Sequence, residues 1–148
     1  PAKGVTESVH TKSNDDGIDR TLEYMKTGKK GLIYTNLVDF DMKWGHRNDF
    51  EAYAKGLEAF DSRLPEILAA MGEQDVLFIT ADHGCDPTVP GTDHTREYVP
   101  LLGWGRGLAA GTDLGTRKSF ADIGQTISEI FGAEAIAHGE SFWARIRR

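Results

Sequence analysis

A run of apolar, β-branched and aromatic residues at Gly31–Phe40, GLIYTNLVDF, restricts the folds that are open to this chain. Such residues are enriched in strands, and a run with little polar alternation is typical of a strand buried on both faces. Two shorter apolar runs follow, DVLFIT at Asp75–Thr80 and VPLLGW at Val99–Trp104. We predict one strand at each of the three runs.

Three amphipathic segments lie around these runs and repeat their apolar residues at helical spacing. Asp15 or Asp16 can cap the first segment and Ser119 the third, while Pro65 predicts a kink or a break in the second. The basic end of the chain, RIRR at 145–148, is predicted to be a solvated terminus. The helices are predicted at Gly17–Lys26, Asn48–Met71 and Phe120–Phe131.

The alternation of strands with helices predicts the fold class. It indicates an α/β fold with a mostly parallel sheet and flanking helices. Ligands of such sheets bind beyond the carboxyl ends of the strands. Two places are therefore expected to carry function, the residues that follow Phe40 and the residues that follow Thr80.

Composition excludes several classes of protein. The 148 residues have a formal net charge of -6 at pH 7, which argues against a nucleic-acid partner because nucleic-acid surfaces are basic. No apolar stretch is long enough to span a bilayer, so no membrane partner is expected. The single cysteine, Cys85, excludes a disulfide framework within the chain. Without a recognisable signal peptide, the simplest interpretation is a cytoplasmic protein.

The chain begins at Pro1 rather than Met, with the polar stretch PAKGVTESVHTKSNDDG. We interpret this stretch as a loop that joins an upstream part of a longer chain.

Carboxylates and imidazoles cluster at the two predicted strand ends. Three of the five histidines lie in these loops. Such a mixed oxygen and nitrogen set suits a divalent ion such as Mn²⁺, Zn²⁺ or Fe²⁺. Two carboxylates with three imidazoles exceed the needs of one tetrahedral ion and fit two neighbouring ions, which clamp phosphoryl groups during in-line transfer. The candidate metal ligands are Asp41, His46, Asp82, His83 and His94.

Other residues of these loops have simpler interpretations. A lone Asp-His pair in a loop is more often a hydrogen-bonded turn than a ligand, and only the combination of three clusters favours a metal. Asp39 is expected to support or cap its neighbours, and Asp86 and Asp93 to shape the loop. Cys85 is expected to be a small buried side chain, whereas Trp44 fits either the core or a pocket wall.

Two arginines of the same loops leave an alternative open. Arg47 and Arg96 could bind phosphate, because the guanidinium group matches phosphate oxygens, but a surface role is equally compatible with their positions.

Two long segments carry a family resemblance. TNLVDFDMKWGHRND and TADHGCDPTVPGTDHTREYVPLL resemble the corresponding segments of the phosphopentomutases, members of the alkaline phosphatase superfamily. SFADIGQTISEIFG is also similar to that family, and the resemblance runs from about Ile18 into the C-terminal region. TADHG alone would indicate only the superfamily, which includes cofactor-independent phosphoglycerate mutases.

The resemblance implies an alkaline-phosphatase-like core and a phosphopentomutase activity. It implies interconversion of ribose 1-phosphate and ribose 5-phosphate, and of their deoxy forms, with two Mn²⁺ ions, a phosphorylated threonine and a sugar bisphosphate activator. By position in the motifs, Asp41, His46 and His94 would hold one ion. Asp82 and His83 would hold the other.

Parts of the family pattern are missing from these residues. The second ion also needs an aspartate, and the catalytic step needs a threonine, from segments that this sequence does not contain. The chain is therefore expected to be the C-terminal part of the metal-binding core domain, without the cap domain, and to be inactive alone. No catalytic or substrate-binding residue is assigned, because no available hydroxyl matches the family's nucleophile; the threonines considered are Thr35, Thr80, Thr92 and Thr95.

Two alternatives remain beside the phosphopentomutase interpretation. One is a related metal-dependent phosphatase or phosphoglycerate mutase. The other is a non-catalytic metal-binding fragment, which the missing nucleophile favours for the isolated chain.

Overall fold

The computed structural model describes residues 3–148, so Pro1 and Ala2 of the predicted opening loop lie outside the described residues. The described chain forms two compact units, residues 3–71 with 83–99 and residues 72–82 with 100–148. The first unit contains α1 (Asn14–Lys26), a π-helix (Phe40–Trp44), a 3₁₀ helix (Gly45–Arg47) and α2 (Phe50–Ala70). The second contains β1 (Leu77–Thr80), β2 (Leu101–Trp104), α3 (Ala121–Phe131) and α4 (Trp143–Ile146).

Helix α1 begins earlier than the sequence predicts. Its N-cap is Ser13, whose Oγ accepts a hydrogen bond from the Asp16 N–H at 3.2 Å. The Asp16 carboxylate reaches back and accepts the Lys12 N–H at 2.9 Å. The prediction of Asp15 or Asp16 as the cap was therefore wrong: Ser13 satisfies one free N–H of the first turn, and Asp16 binds back to the residue before the cap, an arrangement similar to a capping box.

Helix α2 runs without a break through Pro65. Asp49 caps it by accepting the Ala52 N–H at 3.0 Å. The predicted break is absent because a proline removes a single N–H donor, and the turns on either side remain hydrogen-bonded. Arg63 of α2 is linked to Asp19 of α1 at 2.7 Å, which joins the two helices.

The predicted strand at Gly31–Phe40 is not formed. Residues 31–38 carry neither helix nor strand, and the π-helix begins at Phe40. Leu32, Ile33 and Tyr34 are exposed, with Tyr34 at 78%. A strand needs a neighbouring strand to take its backbone hydrogen bonds, and the sheet among the described residues consists of β1 and β2 alone.

The two strands of the second unit pair antiparallel, with a register that runs from Leu77↔Trp104 to Thr80↔Leu101. They lie inside two of the predicted strands. The fold is mixed α/β, but the expected mostly parallel sheet is not confirmed in residues 3–148. The alternation of strands with helices favours parallel strands but does not by itself fix the direction of each pair.

The core of the second unit lies under α3 and α4. Leu108, Phe142 and Ile146 are buried together, and Phe78 of β1 packs edge-on against Phe142 with ring centroids 5.7 Å apart. The N-cap of α3 is Phe120, whose side chain makes no capping hydrogen bond, so the predicted cap at Ser119 lies one residue too early; the Ser119 hydroxyl nevertheless accepts the Ala121 N–H at 3.1 Å.

The prediction of a solvated C-terminus is confirmed for Arg145, Arg147 and Arg148, which are exposed, and wrong for Ile146. Ile146 is 6% exposed, and its carbonyl accepts the Ala109 N–H at 2.7 Å. The Arg148 N–H donates to the Gly107 carbonyl at 3.0 Å. The one apolar residue of RIRR, Ile146, is part of the core of this unit.

Among the described residues, no helix has the length and apolar character needed to cross a membrane.

Candidate metal centre

Three imidazoles converge on one carboxylate oxygen in the first unit. The Asp41 Oδ1 atom lies 3.1 Å from His94 Nε2, 3.3 Å from His46 Nε2 and 3.8 Å from His83 Nε2. The rings of His83 and His94 stack with centroids 3.6 Å apart, and His46 lies 4.9 Å from His94. Residues from two distant stretches of the sequence therefore meet within a few ångströms.

Local helical geometry brings Asp41 and His46 to the same place. Asp41 lies in the π-helix and His46 in the 3₁₀ helix that follows directly. Short π-helical turns often occur at functional sites. Gly45, between them, permits a close approach, since a Cβ there would lie 2.3 Å from Cys85 Sγ and 2.9 Å from the Phe40 carbonyl oxygen.

A second local structure brings His83 and His94 together. Gly84 and Thr95 form an isolated antiparallel bridge, with the Thr95 N–H donating to the Gly84 carbonyl at 3.2 Å. The Thr95 hydroxyl accepts the Asp86 N–H at 2.7 Å. The two ends of the intervening loop are thus fastened, and the two histidines lie side by side.

Hydrogen bonds indicate which ring nitrogens face Asp41. His46 Nδ1 contacts the Thr92 carbonyl, and His83 Nδ1 lies 3.0 Å from the Gly84 carbonyl. A carbonyl oxygen can only accept, so each Nδ1 carries a proton. The Nε2 atoms then face Asp41 and are placed to bind a metal. A hydrogen bond from the other ring nitrogen commonly orients a histidine ligand in this way.

The environment of Asp41 fits a cation. Its Oδ1 atom is buried and has no hydrogen-bond partner among the described residues. A buried polar atom without a partner is unfavourable unless an ion or water satisfies it. Four ligand atoms about 2.1 Å from one ion are about 3.4 Å apart, which is close to the distances from this oxygen to the imidazoles. Asp41, His46 and His94 form the group whose ligand atoms all lie within 4.8 Å of one another.

The fifth predicted ligand, Asp82, lies in the second unit, directly before His83 in the sequence, and is exposed. The structure thus brings together Asp41, His46, His83 and His94, and places Asp82 two residues beyond the end of β1.

Several neighbours have the structural roles that the sequence predicts. Asp39 is 6% exposed and accepts the Asn14 N–H at 2.9 Å, and Lys43 Nζ lies 2.9 Å from its other oxygen. Asp86 accepts the Thr88 N–H at 2.9 Å as a turn residue. The Thr88 hydroxyl and N–H hold the pKa of Asp86 below its ordinary value.

Cys85 and Trp44 pack behind the site. Burial raises the pKa of the Cys85 thiol, and the nearby Asp41 carboxylate raises it further. Trp44 lies against Gly56 of α2, where a Cβ would be 2.2 Å from the ring. This contact gives Trp44 a packing role between the π-helix and α2, which the sequence left undecided.

Other residues around the site were missed by sequence reasoning. Asn48, Gly56 and the Thr92 carbonyl were not identified. A glycine inside a helical pattern, such as Gly56, does indicate close packing. Nothing in the sequence marks a backbone carbonyl such as that of Thr92, because its role depends on the tertiary position of His46.

The geometry agrees with a comparison against family models. A model described as the metalloenzyme superfamily matches residues 1–135. The chain belongs to the metalloenzyme superfamily. Membership in the metalloenzyme superfamily agrees with a divalent metal at the cluster around Asp41.

Within the metalloenzyme superfamily, the chain is similar to curated proteins named phosphopentomutase. The chain is 71% identical to a phosphopentomutase of Clostridium novyi (strain NT) over 144 residues, which are 97% of this chain and 37% of that protein. It is 62% identical over 139 residues to a phosphopentomutase of Kosmotoga olearia and 59% identical over 140 residues to one of Clostridioides difficile (strain 630). The chain spans only 36% of each of those two. The expected position of this segment within the longer relatives stays a prediction.

Proposed function

We propose that this chain is part of a phosphopentomutase that interconverts ribose 1-phosphate and ribose 5-phosphate and their deoxy forms. The observation that carries the proposal is the buried Asp41 oxygen, which has three imidazole nitrogens within 3.8 Å. Membership in the metalloenzyme superfamily and similarity to proteins named phosphopentomutase support it. The substrate is then a pentose phosphate, and the setting is cytoplasmic nucleotide and pentose phosphate metabolism.

The proposed ligands divide between two ions. Asp41, His46 and His94 would hold the first, and His83 and Asp82 would hold the second together with an aspartate from outside this segment. Mn²⁺ is the proposed metal, although other divalent ions suit the same donors. When bound, such ions neutralise charge on phosphoryl oxygens and so favour in-line transfer.

Residues of this chain prepare the site for that chemistry. The carbonyls of Thr92 and Gly84 hold His46 and His83 so that their Nε2 atoms face Asp41. Asp39 and Gly45 maintain the turn that presents Asp41 and His46 together.

The remaining parts of the machinery lie outside this segment in the proposal. The phosphorylated threonine that donates and recovers the phosphoryl group, and the cap that contacts the sugar, belong to the remainder of the parent polypeptide. A sugar bisphosphate would prime the threonine, and the isolated chain would be inactive. We also infer that residues 31–40 pair in the parent with strands from elsewhere to complete a mostly parallel sheet, which would cover the exposed apolar side chains there.

A related metal-dependent phosphatase or phosphoglycerate mutase is the second candidate, because the metal cluster serves any phosphoryl transfer. The test is a ³¹P spectrum of the full-length parent with ribose 5-phosphate, Mn²⁺ and a sugar bisphosphate primer. A ribose 1-phosphate signal is expected. Inorganic phosphate as the only new signal would indicate a phosphatase instead. An unchanged spectrum would reject the mutase and leave a metal-binding role.

A further inference from the structure

We propose that Asn48 is a positioning residue, which holds the loop carrying His94 against the turn carrying Asp41 and His46. The inference rests on the proposed metal centre and concerns how that centre is kept in shape. Asn48 follows the 3₁₀ helix directly and precedes the cap of α2. It therefore lies at the junction of the two structures that meet at the site.

The backbone of Asn48 is left-handed, with φ 52° and ψ 31°. It is the one residue other than glycine with a positive φ among residues 3–148. Asparagine adopts this conformation more readily than most residues with a side chain. Its N–H donates to the Gly45 carbonyl at 3.1 Å and so closes the 3₁₀ helix. A left-handed residue ends the turn here and sends the chain into α2.

The side chain of Asn48 makes the connection to the other segment. Its Nδ2 donates to the Pro87 carbonyl at 3.2 Å and to the Val89 carbonyl at 2.9 Å. A primary amide has two N–H donors, so one side chain satisfies two carbonyls of a loop about forty residues away in the sequence. A proline and a valine carbonyl are thereby fixed relative to the Asp41 turn.

The loop between His83 and His94 is held at three further places in the first unit. Its ends are bridged at Gly84 and Thr95, Asp86 forms a turn with Thr88, and the Thr92 carbonyl contacts His46. The bridge and the turn are contacts within the loop. Hydrogen bonds of Asn48 and His46 connect it to the Asp41 turn.

The consequence concerns His46. Without the Asn48 amide, the loop would lose two of the hydrogen bonds that join it to the Asp41 turn, and the contact between His46 and the Thr92 carbonyl would be less well supported. The loop could then move away, and His46 would lose the partner that orients its ring. Removing outer partners of metal ligands typically weakens metal binding by about 10- to 100-fold.

The test compares two variants of the full-length parent. Asn48→Gly keeps the left-handed backbone accessible and removes only the amide. Ser13→Ala removes the N-cap of α1 in the same unit and costs about 1 kcal/mol of stability without touching the loop. Mn²⁺ affinity is measured by titration calorimetry, unfolding of the metal-free protein by urea, and the His46 Nδ1 signal by ¹⁵N spectroscopy.

We expect Asn48→Gly to weaken Mn²⁺ binding by about 10-fold or more and to change the His46 Nδ1 shift of the metal-free protein. Ser13→Ala should lower stability and leave both readouts unchanged. If Asn48→Gly had the same Mn²⁺ affinity and the same His46 Nδ1 shift as Ser13→Ala, the positioning role would be overturned.

His94→Ala separates this inference from the proposed site. If His94→Ala weakens Mn²⁺ binding while Asn48→Gly does not, the positioning role alone fails. If neither the wild type nor His94→Ala binds Mn²⁺ measurably, the metal centre fails as well, and both proposals are rejected.

Discussion

At the scale of single residues, the candidate metal centre leaves one buried carboxylate oxygen, that of Asp41, without a hydrogen bond in the described part of the chain. Imidazole nitrogens surround this Oδ1 atom. Such an arrangement is unfavourable without a cation, because buried carboxylate oxygens need hydrogen bonds or counter-charges. Substitutions here should therefore change metal binding far more than they change folding.

The substitution His94→Ala tests this separation. His94 has a half-exposed side chain and lies 3.1 Å from the Asp41 oxygen. We expect the parent enzyme to lose mutase activity and at least about 100-fold in Mn²⁺ affinity, since outer partners alone account for about 10- to 100-fold. Urea unfolding of the metal-free protein should change little. The exposed His138→Ala serves as the control, and wild-type turnover by His94→Ala would reject the ligand role.

The exposed Asp82 provides a second test at the same scale. Asp82→Asn keeps the size of the side chain and removes its negative charge. We expect mutase activity of the parent to be lost with little change in urea unfolding, because a neutral amide is a weaker ligand for a hard cation than a carboxylate. Asp61→Asn, at an exposed position of α2, controls for the loss of one charge. Retained activity in Asp82→Asn would remove Asp82 from the ligand set.

Secondary-structure elements position these side chains through close packing. The π-helix approaches α2 where Trp44 covers Gly56, and the 3₁₀ helix approaches the segment after His83 where Gly45 meets Cys85. Both contacts depend on the absence of a Cβ. A protein interior is packed too densely to admit an added methyl group at such places without movement.

The substitution Gly56→Ala should therefore lower the free energy of unfolding, although the same change usually raises it in a helix. In a helix interior, alanine is normally favoured over glycine by about 1 kcal/mol. Here the new Cβ would lie 2.2 Å from the Trp44 ring, so we expect a net loss of about 1–3 kcal/mol in urea unfolding. Gly124→Ala in α3 is the matched control, because its Cβ would meet only the movable end of Ile136 at 3.2 Å. Stabilisation by Gly56→Ala would contradict the packing.

A buried ion pair holds the start of α3 in the second unit. Arg117 Nε lies 2.7 Å from Asp122 Oδ2, and the other carboxylate oxygen accepts the Glu140 N–H at 2.9 Å. Asp122 is 4% exposed. We expect Asp122→Ala to cost about 3–5 kcal/mol in urea unfolding, because it leaves Arg117 largely buried without its partner. Glu134→Ala, at an exposed position, should change stability little, and an equal effect of both variants would remove the pair's role.

At the scale of the whole molecule, the chain is a segment of something longer in its relatives. It spans 37% of the length of the Clostridium novyi phosphopentomutase. Exposed apolar residues at 32–34 agree with packing against parts that lie outside this segment. The activity therefore has to be measured on the parent protein, where the proposed nucleophile is present.

Metal removal tests the proposal at that scale. Chelation of the parent enzyme should abolish mutase turnover, and Mn²⁺ should restore it, because the proposed chemistry requires divalent ions on the phosphoryl oxygens. Mg²⁺ and Zn²⁺ added in place of Mn²⁺ would measure the metal preference. Full turnover in metal-free buffer would contradict the two-metal interpretation.

Much of the site could be predicted from the sequence, whereas parts of the fold could not. Asp41, His46, His83 and His94 were chosen from their positions after apolar runs, and the structure brings all four together. The strand predicted at 31–40 is not formed in this structure, and the tail is solvated at its arginines but buried at Ile146. Strands and termini depend on partners that are distant in the sequence or absent from it, whereas ligand chemistry depends on side-chain type.

The sequence by itself determined the chemical character of this protein. It determined which carboxylates and imidazoles are present, where they lie in the chain, and the motifs by which the chain belongs to the metalloenzyme superfamily. Only the tertiary structure decided that three imidazoles meet one buried oxygen, that Asn48 connects two segments, and that β1 and β2 pair antiparallel. The physical reason is that residue types specify which interactions are available, while hydrogen bonds and packing between distant segments determine which of them are made.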